Sequence, residues 1–261
     1  MIGKTNKLFF VIERDIRIFF QYKFLVIMRA IWFISQIVLF GLIASQMVNV
    51  QGLDYYPYYV GGLAIMTLYS TAIFIGFDIY EEAEHGVFEY MLSLPVSRRQ
   101  LALGRSIGGG LRAFLYTGPL MAVSLYVIGA LNPLNFLIAF LSLFLFAFGI
   151  SGMSITFALL IKSSDRFDIF MGILDALIIR LSTAMYPLTV VTKTNPLYGG
   201  LAQFNPVSFA SDLFRWGTGV ESIITFDNPL VPLLGIVIFF SFFAFVGVLI
   251  YDKHIEGGGW Q

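Results

Sequence analysis

Cysteine is absent from this chain of 261 residues, and charge is scarce, since only 12% of the residues are Asp, Glu, Lys or Arg. Without thiols there is no disulfide, no thiol catalysis and no thiolate metal site, and the redox compartment cannot be inferred. The formal net charge is zero, and no basic strip with interleaved aromatic residues is present. Composition therefore argues against nucleic acid as a partner.

Catalytic and metal-binding motifs are lacking as well. The two histidines, His85 and His254, have no metal-ligand partner at helical spacing, and neither H-E-x-x-H nor G-x-S-x-G occurs. The sequence GKT at 3–5 resembles the end of a phosphate-binding loop, but it lacks the upstream glycine and the preceding strand. We expect no catalytic residue, no metal site and no cofactor bound by this chain itself.

Apolar residues dominate what is present, with 58% hydrophobic residues and a mean hydropathy of +0.83. Uncharged runs of this length predict an all-α polytopic membrane protein. The turn sequence NPLN divides one long uncharged run into two. We expect six transmembrane helices, placed at 24–53, 58–77, on either side of 132–135 within 113–161, at 167–191 and at 228–251.

The basic residues predict the orientation of these spans. With six spans both termini share a side, and thirteen of the sixteen Lys and Arg residues then lie on it. Arg180 falls within a span, and only Lys193 and Arg215 lie opposite. Because cytosolic loops carry an excess of Lys and Arg, we expect a multi-pass cell-membrane protein with both termini in the cytosol. An odd number of spans would divide the basic clusters.

The first 23 residues are amphipathic. On a helix, Phe9, Ile12, Ile16 and Phe19 share one face, and a second face is polar. This pattern predicts a helix lying in the headgroup plane, and it does not resemble a cleaved signal peptide. The alternative is a plain cytosolic extension. The polar face consists of Lys7, Arg14, Arg17 and Gln21.

A quarter of the sixteen acidic residues fall in one short stretch after the second span. Glu81, Glu82 and Glu84 are predicted to lie at a helix N-terminus, where the helix dipole favours negative charge. We expect Arg14 and Arg17 of the first helix to be their partners.

An apolar ridge is predicted directly after these acids. Val87, Tyr90, Met91 and Leu94 follow one another at i, i+3, i+4 and i+7, and Pro95 ends the helix at or before Leu94. Such a ridge suits a groove on a soluble partner. The alternative is an ordinary solvated loop.

The segment at 192–227 is too apolar for a solvated loop and too broken for a span. Asn205 and Pro206 are typical of a helix N-cap followed by the first helical residue. We expect two short helices that dip into the outer leaflet, where protein or a wet cavity covers their free backbone groups. The alternative is a loop packed flat on the membrane.

Three further features lie within the predicted spans or just before one of them. Asp175 and Arg180 are charged, so both should face protein or water, along a substrate path or at a subunit interface; the alternative for Arg180 is that it snorkels outward. Five residues separate them, which places them on different faces of a helix. The glycines at 108–110 predict close helix packing, with a hinge as the alternative.

Two motifs resemble those of the membrane subunits of ABC-2 type ATP-binding-cassette exporters. The first is EEAEHGVFEYMLSLPVSRRQLALGR, in which Gly86 is followed by Val87 where the family usually has Thr, while Glu89 and Pro95 keep their places. The second is RLSTAMYPL…FNPVSFASDLFR. Its matching residues are Pro187 at the exit of the fifth span, the Asn205–Pro206 pair and Arg215.

This resemblance implies a partner and a mechanism. Permeases of this family pair with a separate nucleotide-binding subunit, two copies of each, so ATP and Mg²⁺ would be bound by the partner. It also implies a conduit between two permease copies, gated on the outer side near Pro187, Asn205, Pro206 and Arg215. The residues expected to couple the ATPase are Glu81, Glu82, Glu84, Gly86, Val87, Glu89, Tyr90, Met91, Leu94 and Pro95.

We expect export of a hydrophobic or lipid-like small molecule or a drug. A polysaccharide or glycolipid conduit is the alternative within the family, and a membrane anchor or a membrane-embedded enzyme is the alternative outside it. The chain is expected to form one domain. Its segments are an interface helix at 1–23, spans at 24–80, a coupling region at 81–99, spans at 100–191, an outer re-entrant segment at 192–227, a last span at 228–251 and a cytosolic tail at 252–261.

Overall fold

The computed structural model describes residues 4–21, 23–48, 53–129, 132–161, 163–220 and 225–254, which form α-helices and one π-helical segment and contain no strand. The fold is therefore all-α, as the sequence predicts. The helices are α1 Lys4–Gln21, α2 Lys23–Ser35, the π-helix Gln36–Gly41, α3 Leu42–Met47, α4 Tyr55–Glu84, α5 Val87–Ser93, α6 Arg98–Ile128, α7 Pro133–Ile161, α8 Ser164–Arg180, α9 Leu188–Thr194, α10 Pro196–Gln203, α11 Pro206–Thr218 and α12 Leu230–His254.

Five helical stretches of the described chain are long and apolar enough to cross a membrane. They are Val26–Met47, Tyr55–Glu84, Arg98–Ile128, Pro133–Ile161 and Leu230–Ile250. These stretches match the first four and the sixth of the predicted spans, and they make the chain a polytopic membrane protein.

The predicted fifth span is not one continuous helix. Within 167–191, α8 ends at Arg180, an irregular loop runs from 181 to 187, and α9 begins at Leu188. With 17 residues, α8 is at the short limit for a span and carries several charges. The helix end predicted at 191 is therefore wrong, because α8 ends eleven residues earlier.

The helix α7 lies at the centre of the bundle, where it contacts α4, α6, α11 and α12. The first helix, α1, packs along α6, whereas α8 contacts α4, α7 and α11. α2, the π-helix and α3 leave most of their side chains exposed.

The three consecutive glycines of α6 each face a different helix. A Cβ on Gly108 would lie 2.9 Å from Cβ of Asp15 on α1, and one on Gly109 would lie 3.0 Å from Cγ1 of Ile75 on α4. A Cβ on Gly110 would collide with Phe148 on α7. Successive helical residues are about 100° apart, so this run lets three helices approach α6 at one level. Close packing is the role that the sequence predicts for these glycines.

The turn between α4 and α5 places the acidic residues differently from the prediction. α4 continues without a break to Glu84, and Gly86 then adopts a φ of 68°, the left-handed conformation that glycine tolerates best. Glu81, Glu82 and Glu84 therefore lie in the last turns of a helix and not at an N-terminus. The helix dipole disfavours negative charge at this end, so a buried carboxylate here requires cations nearby.

The end of α5 and the start of α6 lie where the sequence predicts them. The helix α5 stops at Ser93, just before Leu94 and Pro95. Ser97 then caps α6, because its Oγ accepts from the Gln100 amide at 3.3 Å and the Gln100 side chain accepts from the Ser97 amide at 3.2 Å.

Candidate functional site

The α5 end of the bundle holds a carboxylate between two guanidinium groups. Glu82 on α4 accepts a 2.6 Å hydrogen bond from Nη2 of Arg14 on α1, and its other oxygen accepts from Nη1 of Arg105 on α6. The Arg105 side chain is fully buried, and that of Glu82 is nearly so. One carboxylate thus ties the interface helix, the second span and the third span together.

Two further ionic groups surround this carboxylate. Arg112 lies seven residues after Arg105, on the same face of α6, and pairs with Asp78 of α4. Asp15 on α1 is buried beside Arg14, with 3.4 Å between Oδ1 and Nη1. Burial raises the pKa of Asp15 to about 6, although the guanidinium groups of Arg105, Arg112 and Arg14 oppose that rise. Three helices therefore meet through alternating charges.

Small residues on α6 allow α1 to come this close. A Cβ on Gly104 would lie 2.9 Å from Cβ of Val11. Four residues later on both helices, a Cβ on Gly108 would lie equally close to Cβ of Asp15. Lys7 donates from its Nζ to the carbonyl of Pro95, just beyond α5. Because these contacts lie on one stripe of α1, the helix is anchored to α6 and to the loop after α5.

Of the two arginines predicted to bind the acidic stretch, only Arg14 does so. Arg17 is exposed and pairs with Glu13, one turn earlier on α1, at 2.6 Å. Arg17 lies about one turn further along α1 than Arg14, and its exposed guanidinium binds Glu13 of its own helix instead of a residue of α4. The partner role predicted for Arg17 is wrong.

The sequence prediction missed Arg105 and Arg112. A signal for them existed: two arginines seven residues apart share a face at the start of a span, and Asp78 and Glu82 share a face of the preceding span. Charges on a membrane helix need partners, so these two pairs could have been matched.

The apolar ridge of α5 divides between two sides of the helix. Phe88 is fully buried and Met91 is only 5% exposed, whereas Tyr90 is 65% and Leu94 38% exposed. Met91 faces Arg105, with Sδ 3.9 Å from Nη1. Phe88 and Met91 therefore fix α5 to the bundle, so the part of the ridge open to a partner is Tyr90, Leu94 and the half-buried Val87.

The remaining residues of the predicted coupling set are all on the surface. Glu81, Glu84 and Glu89 are exposed, as are Gly86 and Pro95. Within the described residues, Glu82 is thus the member of the acidic stretch that is buried among cations. Glu81, Glu84 and Glu89 are instead exposed at this end of the bundle.

At the opposite end, the irregular loop at 181–187 is largely buried, apart from Tyr186, although its backbone is not helical. The hydroxyl of Tyr58 donates to the Thr183 carbonyl, and that of Tyr55 donates to the Met185 carbonyl at 3.0 Å. The Thr183 amide donates to Oγ of Ser208 at 2.9 Å. Side chains of α4 and α11 thus satisfy the backbone groups that the broken helix leaves free, as a bundle of membrane helices requires.

Arg215 of α11 completes this arrangement. Its Nη2 donates to the carbonyls of Thr183 at 3.2 Å and Ala184 at 2.9 Å, and its guanidinium lies 3.7 Å from the centre of the Tyr58 ring. Asp212, one turn earlier, lies 3.6 Å from Nη1 of Arg215. A buried cation therefore holds the loop carbonyls in place.

The helix start predicted at Asn205 is confirmed. Its side chain accepts from the Val207 amide at 2.9 Å, and Pro206 is the first residue of α11. The Asn205 Nδ2 also donates to the Ile178 carbonyl near the end of α8, at 2.7 Å. The buried residue Pro187 ends the irregular loop before α9. Two short helices, α10 and α11, lie wholly within the segment at 192–227, as expected, and α9 begins before it at Leu188.

Asp175 and Arg180 do not meet. Neither forms an ion pair within the described ranges, and Arg180 is exposed at the last position of α8. They lie on separate faces, as their spacing predicts. No group of three His, Asp or Glu side chains in the described part of the chain could hold a metal ion.

Comparisons with known proteins bear on both ends of the molecule. The family model described as ABC-2 type transporter matches residues 6–218, a range that includes α1, α5 and α11. The inner membrane transport permease YadH of Escherichia coli strain K12 is 25% identical over 207 residues, which cover 78% of this chain and 77% of that protein. The same permease from Escherichia coli O157:H7 and from Shigella flexneri matches equally.

Proposed function

The chain belongs to the ABC-2 type transporter family, and from that premise we propose that it is the permease subunit of an ATP-driven exporter powered by a separate ATPase. The relatives that it matches are named as inner membrane transport permeases. The proposed partner supplies the ATP and Mg²⁺ sites, and both termini of this chain face the cytosol with it.

One observation carries this proposal. α5 is fixed to the bundle by Phe88 and Met91, while Tyr90 and Leu94 on its other side are exposed. The helix is short, and it is joined to α1 and α6 through Glu82 and through the contact of Lys7 with the Pro95 carbonyl. A movement of α5 caused by a partner bound at Tyr90 would therefore be transmitted to α1, α4 and α6 together.

A second copy of the chain is proposed to complete the conduit. The apolar side chains of α2, the π-helix and α3 are largely exposed, and so is one face of α8. These are the first and fifth spans of the sequence prediction, and their faces suit a two-fold interface. At the α11 end, the loop at 181–187 and Arg215 are proposed to form the outer gate.

Cross-linking tests this assembly, because the chain has no native cysteine. A cysteine at Leu39 combined with one at Ile173, two exposed positions on these faces, is expected to yield a covalent dimer in membranes. A cysteine at the exposed Phe242 of α12 paired with Ile173→Cys is the control and is expected to remain monomeric. Monomers from every pair along the two faces would reject the shared conduit.

The proposed cargo is a hydrophobic or lipid-like small molecule or a drug. The purified chain alone is expected not to hydrolyse ATP, whereas vesicles that also contain the ATPase should show ATP-dependent movement of cargo. ATP hydrolysis by the chain alone, in a preparation free of other ATPases, would contradict the two-subunit proposal.

A further inference from the structure

An open groove runs along one face of α4, from the middle of the helix to its α5 end. At the α5 end it widens into a cavity of about 700 Å³ between α1, α4, α5 and α6. A second cavity of about 340 Å³ continues from it toward Trp32 of α2, and Thr71 and Phe74 line both. Together they have the size of a site for a drug-sized molecule.

The two halves of the groove differ in chemistry. The smaller cavity is mainly apolar and is lined by Trp32, Leu63, Met66 and Phe74, with Thr67, Ser70 and Thr71 on its polar side. The larger cavity carries the charges and adds the aromatic ring of Tyr116. A ligand that fills both must therefore have an apolar body and a charged or polar end.

The charges of the larger cavity sum to a negative value. Its walls contain two guanidinium groups, Arg14 and Arg112, and three carboxylates, Asp78, Glu81 and Glu82. Both guanidinium groups already bind carboxylates, Arg14 that of Glu82 and Arg112 that of Asp78. His85 also lines the cavity, and its Nδ1 lies 2.7 Å from the Glu81 carbonyl.

Among these three carboxylates, Glu81 is the one that neither guanidinium group binds. No ion pair of its side chain occurs within the described ranges, and it stands near the C-terminal end of α4, where the helix dipole adds further negative potential. A cation placed beside it would gain from both the carboxylate and the helix dipole, and Phe74 and Tyr116 line the same cavity.

We propose that this groove binds a lipophilic monocation, with its charge beside Glu81 and its apolar body along Phe74, Met66 and Trp32. The identification of that cation as cargo rests on the proposed transport function, but its binding does not. Binding can therefore be measured on the purified chain without an ATPase.

Two probes of nearly the same shape and opposite charge test the proposal. In calorimetric titrations of the detergent-purified chain, tetraphenylphosphonium is expected to show saturable binding. Tetraphenylborate is expected to show no saturable binding. Glu81→Gln should weaken the phosphonium affinity by up to about fivefold, the size expected when an exposed charge partner is lost. Phe74→Ala should also weaken it, because the apolar body loses its contact.

Glu84→Gln is the matched control, since Glu84 is an exposed acid of the same helix end that does not line the cavity. It should leave the affinity unchanged, and both Glu variants should elute as the wild type does on size exclusion. Equal binding of the two probes, or wild-type affinity in Glu81→Gln, would overturn the proposal. Failure of ATP-driven transport together with intact phosphonium binding would instead count against the proposed function alone.

Discussion

Nη2 of Arg14 lies 2.6 Å from Oε1 of Glu82, which is 68 positions further along the chain. The contact joins the first helix to the last turn of the second span, directly before α5. Because Glu82 also binds the buried Arg105, any movement of α5 and the end of α4 is passed to α1 and α6. We propose that this junction connects the surface of α5, where the ATPase is proposed to bind, with the membrane helices.

Glu82→Gln should destabilise the protein strongly. It leaves the fully buried guanidinium of Arg105 without its carboxylate, and breaking a buried pair in this way costs about 3–5 kcal/mol. We expect a clear fall in the midpoint of thermal denaturation in a fixed detergent. Arg17→Gln, which removes only an exposed pair on α1, should change stability by no more than about 0.5 kcal/mol. Equal effects of the two substitutions would contradict the role of Glu82.

Gly62→Ala should disturb the α11 end. A Cβ at this position of α4 would collide with the carbonyl of Ala184, which Arg215 also binds. Because the obstacle is backbone held by other contacts, we expect a loss of about 1–3 kcal/mol and reduced transport.

Gly200→Ala provides the comparison for this substitution. Gly200 lies in α10 with nothing within 4 Å of its added Cβ, so alanine should stabilise by up to about 1 kcal/mol. The midpoints of thermal denaturation of the two variants measure this difference in stability. A Gly62→Ala protein as stable as Gly200→Ala would show that the loop at 181–187 is not held against α4.

Asp15 should make stability depend on pH. Burial raises its pKa from 3.8 to about 6, so the folded protein binds this proton more tightly than the unfolded chain. The resulting stability is fully present below about pH 4 and is lost as the pH rises through about 6, with a total of about 3 kcal/mol.

Asp15→Asn removes this contribution and leaves the other titrating groups in place. Relative to wild type, the variant should therefore gain stability between pH 5 and pH 7.5. Thermal denaturation at the two pH values measures the difference. Parallel pH profiles for the two proteins would show that Asp15 is not held in the folded state as the structure indicates.

Single cysteines should report the orientation of the chain. Position 164 at the start of α8 is expected to be inaccessible to an impermeant thiol reagent in intact cells, as is position 98 at the start of α6. Positions 54 and 194, which are exposed in the structure, should react. Labelling of position 98 from outside would reverse the proposed topology.

Local sequence signals predicted the helix ends well. Ser97, Pro95 and the Asn205–Pro206 pair act on their own neighbours, so their effect can be read without knowing the fold. The break after α8 could not be predicted in this way. The irregular loop is stable because Tyr55, Tyr58 and Arg215 bind its carbonyls, and these side chains come from helices distant in sequence.

The partners of the acidic stretch show the same limit. A pattern on α1 suggested both Arg14 and Arg17, but only the position of α4 relative to α1 decides which of them reaches Glu82. The ridge predicted on α5 does not form one exposed face, because Met91 packs inward against Arg105 while Tyr90 is exposed. A helical repeat identifies a face but not the neighbour that this face contacts.

The central claim is that a separate ATPase drives this permease through the exposed side of α5. The most direct measurement is recovery of an ATP-binding subunit with the tagged chain from its native membrane, detected with a photoreactive ATP analogue, for wild type and Tyr90→Asp. Tyr126→Asp is the control, because Tyr126 is equally a surface tyrosine but lies near the opposite end of α6. We predict that wild type and Tyr126→Asp retain the labelled subunit and that Tyr90→Asp loses it while still forming the cross-linked dimer. Full recovery of the subunit with Tyr90→Asp, together with wild-type stimulation of its ATPase activity, would contradict the account.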